Sequence, residues 1–107
     1  MSTTPKSEVL PMSDLVTYQE GSVVSRQVTK ADAGNITLFA FDKDQELSEH
    51  TAPFDAFVHV LEGEADIRIS GKAFQLKAGD GIIMPANEPH AVRATTRFKM
   101  LLTMIRK

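Results

Sequence analysis

His50 and His90 are the residues of this chain most able to do chemistry. His90 closes the run Gly79-Asp80-Gly81-Ile82-Ile83-Met84-Pro85-Ala86-Asn87-Glu88-Pro89-His90, which reads as a turn, an apolar strand and a second turn that aims an imidazole. His50 lies in Ser48-Glu49-His50-Thr51-Ala52-Pro53-Phe54, just before the apolar strand 56–61 and the turn Glu62-Gly63-Glu64. Brought together from separate strands, the two rings could share one divalent ion, with waters completing its shell. They could equally hydrogen-bond to each other or to a ligand inside a cavity. Two imidazoles alone make a weak metal site, because transition-metal sites generally use at least three protein ligands.

Other chemistries are poorly served. The chain has no cysteine, which removes disulfides, thiolate zinc and thiol nucleophiles. No serine stands with a histidine and a carboxylate in a recognisable local context. The glycine turns Glu62-Gly63-Glu64 and Lys77-Ala78-Gly79-Asp80 precede strand-like segments, whereas a phosphate loop needs a helix to follow.

The elements that must position the histidines read as strands. Residues 22–28 and 35–41 are dominated by β-branched and aromatic types and bounded by turn signals. In the second, Ile36, Leu38 and Ala40 oppose Phe39 and Phe41, so both faces should be covered. Ala65-Asp66-Ile67-Arg68-Ile69-Ser70 alternates strictly and forms a hairpin with Ala73-Phe74-Gln75-Leu76. Ile82-Ile83-Met84 follows, and 97–105 is a closing strand rather than a helix. Roughly ten short strands with no helix predict an all-β barrel or jelly roll. The aliphatic content of the last strand exceeds what so small an interior should absorb, which points to a homodimer interface.

At 107 residues the chain is one domain of ordinary globular composition, 42% hydrophobic and 24% charged. Residues 1–12 read as a flexible arm before a barrel domain at 13–107. A formal charge of −2 offers no footprint for nucleic acid. No apolar run reaches membrane-spanning length, and the first residues lack a secretory core, so the expected address is cytoplasmic.

Residues 21–106 resemble the cupin superfamily, in particular the small bacterial proteins of the conserved-barrel type. In the second motif of that family Gly79, Pro85 and His90 fall in register, while Asn87 replaces a glycine and Ala94 an asparagine. The first motif is eroded. Gly63 fixes its register, Asp44 stands at its opening glycine, and Ala56 occupies the position of the usual glutamate ligand. A shorter spacer puts His50 and Ala52 at the two histidine positions; a longer one puts Glu49 and Thr51 there. The shorter keeps an imidazole at a ligand position.

The resemblance implies a cupin-type double-stranded β-helix whose cavity is lined by Met84, Phe54, Val58, Val60, Ile67 and Ile69. The polar points would be His50, His90, Thr51 and Asn87. If Ala56 faces that cavity, strand parity turns Phe57, His59 and Leu61 away, and neither Asp55 nor Glu49 sits on an inward position. The ligand-binding set is then His50, His90, Thr51, Met84 and Val58. The expected role is small-molecule binding or accessory work. The alternative is a metal-dependent enzyme, a dioxygenase or isomerase, with Fe, Mn, Ni or Zn on His50 and His90.

Overall fold

The computed structural model describes residues 4–106, so the start of the expected arm and the end of the expected domain, residues 1–3 and 107, lie outside the described residues. Period-two alternation produces nine strands: β1 Val23–Ala31, β2 Gly34–Phe41, β3 Glu46–His50, β4 Phe54–Glu62, β5 Glu64–Ile69, β6 Lys72–Lys77, β7 Gly81–Met84, β8 His90–Ala94 and β9 Phe98–Arg106. They form a five-stranded sheet in the order β1-β2-β9-β4-β7 and a four-stranded sheet in the order β3-β8-β5-β6. The expected all-β barrel is what the chain forms.

The inner faces of the two sheets meet in one core. Phe41, Val58, Val60, Ile67, Phe98 and Met100 are fully buried there. Phe41 and Phe98 stack with centroids 4.5 Å apart, closing one end of the barrel. The outer face of the large sheet is covered only in part. A short 3-10 turn, Met12–Asp14, leads Val16 and Tyr18 across β2 and β9, and Val16, Leu38 and Ala40 form a second buried cluster. The two covered faces expected for β2 are therefore real, and the chain itself supplies the cover. Tyr18 fastens this segment: its hydroxyl donates to Glu62 Oε1 at 2.7 Å, and its ring lies under Lys99 Nζ at 5.0 Å.

This arrangement accounts for most of the apolar content of the last strand within one chain. β9 is the central strand of the large sheet and is covered on both faces, so Phe98, Lys99, Met100 and Leu102 are all buried within one chain. Only Ile105 of its large hydrophobic residues is widely exposed.

The turns obey the same local physics. Gly63 has φ of 80°, and a Cβ there would lie 2.0 Å from the carbonyl oxygen of Arg97. Asn87 (φ 65°) and Asp44 (φ 68°), both standing where the resemblance calls for glycine, adopt the left-handed conformation as well. Asparagine and aspartate tolerate it better than other residues with a side chain.

Candidate functional site

Neither histidine sits in a loop. His50 ends β3 and His90 begins β8, and the two are direct cross-strand partners in the four-stranded sheet. The loop before His90 is tied down on three sides. Asn87 N donates to Ala52 O at 2.8 Å, Ala86 N donates to Asp55 Oδ1 at 2.9 Å, and Ser70 N donates to Pro89 O at 2.8 Å. The Ser70 hydroxyl also donates to Glu88 Oε1 at 2.5 Å. This bracing fixes the Glu88 carbonyl and, through it, the imidazole.

His90 is buried, with 4% of its surface exposed, whereas His50 is exposed. Their ring centroids are 4.4 Å apart at 73°, and their Nε2 atoms are 3.1 Å apart. His50 Nδ1 lies 2.8 Å from Ser48 O, and His90 Nδ1 lies 3.2 Å from Glu88 O. A carbonyl oxygen only accepts, so the tautomer that satisfies both backbone contacts carries its hydrogen on each Nδ1 and turns the Nε2 lone pairs of the two rings toward each other. Such a pair needs something positive between its nitrogens: a shared proton, a donor group or a cation. Burial foremost, and the neighbouring His50 second, lower the pKa of His90, partly opposed by its hydrogen bond to Glu88.

Behind the pair lies a cavity of about 210 Å³ lined by Phe39, Leu47, Ala52, Ala56, Met84, His50, His90, Val92, Met100, Leu102 and Met104. Apart from the imidazoles its walls are hydrocarbon and thioether. Of the residues expected there, His50, His90 and Met84 line it. Val58 does not: it lies deeper in the filled core with Val60 and Ile67. Thr51 and Asn87 are exposed and are not among the lining side chains. Phe54 packs instead beneath Arg106, with the guanidinium carbon 5.1 Å from the ring centroid. His59 faces outward and stacks near Phe57, their ring centroids 6.3 Å apart, as parity requires.

Ala56 is 2% exposed and faces the cavity, so the position of the usual carboxylate ligand carries a methyl group. Among the described residues no group of three or more His, Asp or Glu side chains could hold a metal ion. Two imidazoles with two alanines do not fit Fe, Mn, Ni or Zn, which need further nitrogen or oxygen donors and gain from a carboxylate's charge.

A second hollow, about 250 Å³, lies among Glu46, Asp66, Arg68 and Arg93 of the four-stranded sheet. Its charges are largely engaged: Arg93 with Asp44 at 3.2 Å and Arg68 with Asp66 at 3.5 Å. Glu46, Arg93 and Asp66 lie side by side in register across β3, β8 and β5, so the hollow reads as a row of alternating surface charge.

Fold and site together define a double-stranded β-helix barrel with a histidine pair against an apolar interior. Residues 37–106 match the cupin domain, and the chain belongs to the cupin family. Solved structures similar to it include a conserved protein of unknown function from Streptococcus pyogenes, 34% identical over 100% of this chain and 96% of that one, with a TM-score of 0.91. Another is a cupin superfamily protein from Desulfitobacterium hafniense, 29% identical over 99% and 97% of the two chains, TM-score 0.91. A cupin 2 conserved barrel domain protein from Leptotrichia buccalis is 40% identical over 91% of this chain and 47% of that one, TM-score 0.88. Among curated proteins, the polyketide synthase CurC of Streptomyces cyaneus is 31% identical over 64 residues, 59% of this chain. The matched stretch is 42% of that relative's length. Among the described residues no helix is long and apolar enough to cross a membrane.

Proposed function

We propose that this protein binds a small, largely apolar molecule in the barrel, with the His50–His90 pair as its polar anchor, and serves as a binding or accessory protein. The observation that carries this reading is the meeting of two Nε2 atoms at 3.1 Å against a cavity otherwise lined by apolar side chains. A cavity of about 150 Å³ suffices to hold benzene. The 210 Å³ here therefore suits a substituted single ring or a branched chain of similar bulk. A ligand hydroxyl or amine that donates toward the converging lone pairs supplies the missing positive partner. The partial likeness to a polyketide synthase supports a small-molecule partner over a nucleic acid.

Phenol against toluene tests the reading, because the two differ by the donor alone. Phenol should bind about tenfold more tightly, the worth of one net hydrogen bond of about 1–1.5 kcal/mol. It should also shift the His90 ring signals in NMR. Equal binding of the two, or binding of neither, overturns it.

The working unit is a barrel domain at about 13–107, in the cytoplasm, as a homodimer. Support for the dimer comes from the part of the large sheet that the N-terminal segment leaves bare. There Phe57 is 40%, Ile83 61% and Ile105 57% exposed, on adjacent strands ending at the edge strand β7. An apolar stripe beside an unpaired edge is self-complementary across a two-fold axis.

A further inference from the structure

We propose that the inner side of the histidine pair is a soft-metal site that takes copper(I), bound by His50 Nε2, His90 Nε2 and the thioether of Met84 or Met104. This rests on the reading that His50 and His90 are the cavity's polar anchor, and binding of an apolar ligand does not depend on it.

Three of the chain's five methionines, Met84, Met100 and Met104, line this one cavity. Their placement matters more than their number. Met84 on β7 and Met104 on β9 are the direct cross-strand partners of Ala56, one on each side. The position that carries a methyl group in place of a carboxylate is therefore flanked by two sulfurs on the inward row, and cross-strand neighbours have Cβ atoms about 5 Å apart. The donor set around the cavity is thus two nitrogens and thioether sulfur, with no anionic oxygen among its lining residues. Thioether selects copper(I) over the harder divalent ions. A single positive charge also costs less to place against hydrocarbon than a double one, and no carboxylate is present to neutralise the second.

The imidazoles are already set for a metal. Metal-bound histidines nearly always donate their other N–H to a carbonyl or carboxylate, and here both Nδ1 atoms donate to backbone carbonyls, Ser48 O and Glu88 O. Two nitrogens 3.1 Å apart, each about 2.0 Å from one ion, subtend about 100° at it. That angle leaves further coordination positions open on the cavity side. A linear two-nitrogen complex would instead require the rings to separate.

The test is an anaerobic titration of the untagged full-length protein with copper(I), supplied as its acetonitrile complex in competition with bicinchoninate, beside a zinc(II) titration. One copper(I) per chain should be retained, with sulfur in the X-ray absorption spectrum and zinc held far more weakly. The M84L/M104L double variant should lose about tenfold or more in copper(I) affinity and lose the sulfur signal. Its thermal unfolding, measured in parallel, shows that the barrel persists. Three results overturn the proposal: no copper(I) held by folded protein, zinc bound as tightly as copper(I), or unchanged copper(I) affinity in the double variant. Phenol binding in the metal-free wild type separates failure of this site from failure of the ligand reading.

Discussion

His50 and His90 face each other across β3 and β8 with their Nε2 atoms 3.1 Å apart and each Nδ1 committed to a backbone carbonyl. The backbone thus decides which nitrogen is free, and the free nitrogens point at one another. Function follows from whatever occupies the gap.

Replacing both rings, His50→Leu with His90→Phe, should alter folding stability by no more than about 1 kcal/mol, because removing both partners of a buried polar contact is close to neutral. The same double variant should lose copper(I) binding and bind phenol about tenfold more weakly, no better than toluene. Urea unfolding beside the two titrations checks this. A large loss of stability would make the pair a structural pin.

Gly63 and Gly79 both have positive φ, 80° and 93°, but differ in surroundings. Gly63→Ala meets backbone and should cost about 3 kcal/mol or more. Gly79→Ala meets nothing within 4 Å and should cost only the left-handed strain of about 1–2 kcal/mol. Chemical denaturation of the two variants measures the contrast, and similar values would contradict it.

Strand legibility followed side-chain alternation. β5 and β6 could be read from sequence because one face of each is apolar, and β2 because it is rich in β-branched and aromatic residues, with apolar groups on both of its faces. β3 could not, since Glu46-Leu47-Ser48-Glu49-His50 has one aliphatic residue and is mostly exposed. β8 is hidden for a different reason: Pro89 reads as the end of a turn, and only pairing with β3 and β5 reveals the strand. The cavity was half legible. Met84 follows from the parity of β7, but Phe39, Met100 and Met104 enter through the order β2-β9-β4, a long-range relationship that no local pattern encodes.

Asp42 accepts hydrogen bonds from Gly21 N at 2.6 Å, Arg97 Nε at 2.8 Å and Lys43 N at 2.9 Å. Chiefly the Gly21 bond, then the Arg97 bond, hold its carboxyl below the ordinary 3.8. The unfolded chain therefore takes up this proton first as pH falls. The stabilisation is complete above about pH 4 and disappears as pH drops through the depressed value. Asp42→Asn should flatten the acid limb of a melting-temperature profile below about pH 4 while leaving its shape near neutrality unchanged. An unaltered acid limb would sink the assignment.

A Phe57→Glu, Ile83→Glu variant places charge on the bare part of the large sheet. Light scattering after gel filtration should show a dimer for the wild type and a folded monomer for the variant. A monomeric wild type would remove the homodimer from the picture.

β9 is the final strand in sequence, yet it lies between β2 and β4 at the middle of the large sheet, with the N-terminal segment resting on its outer face. During synthesis, every earlier strand of that sheet must wait for residues 98–106 before the barrel can close. Pairing β2 with β9 also closes a long loop, so the entropic cost precedes the gain from the core. A ribosome stalled before Phe98 would carry β2 and β4 with no strand to join them.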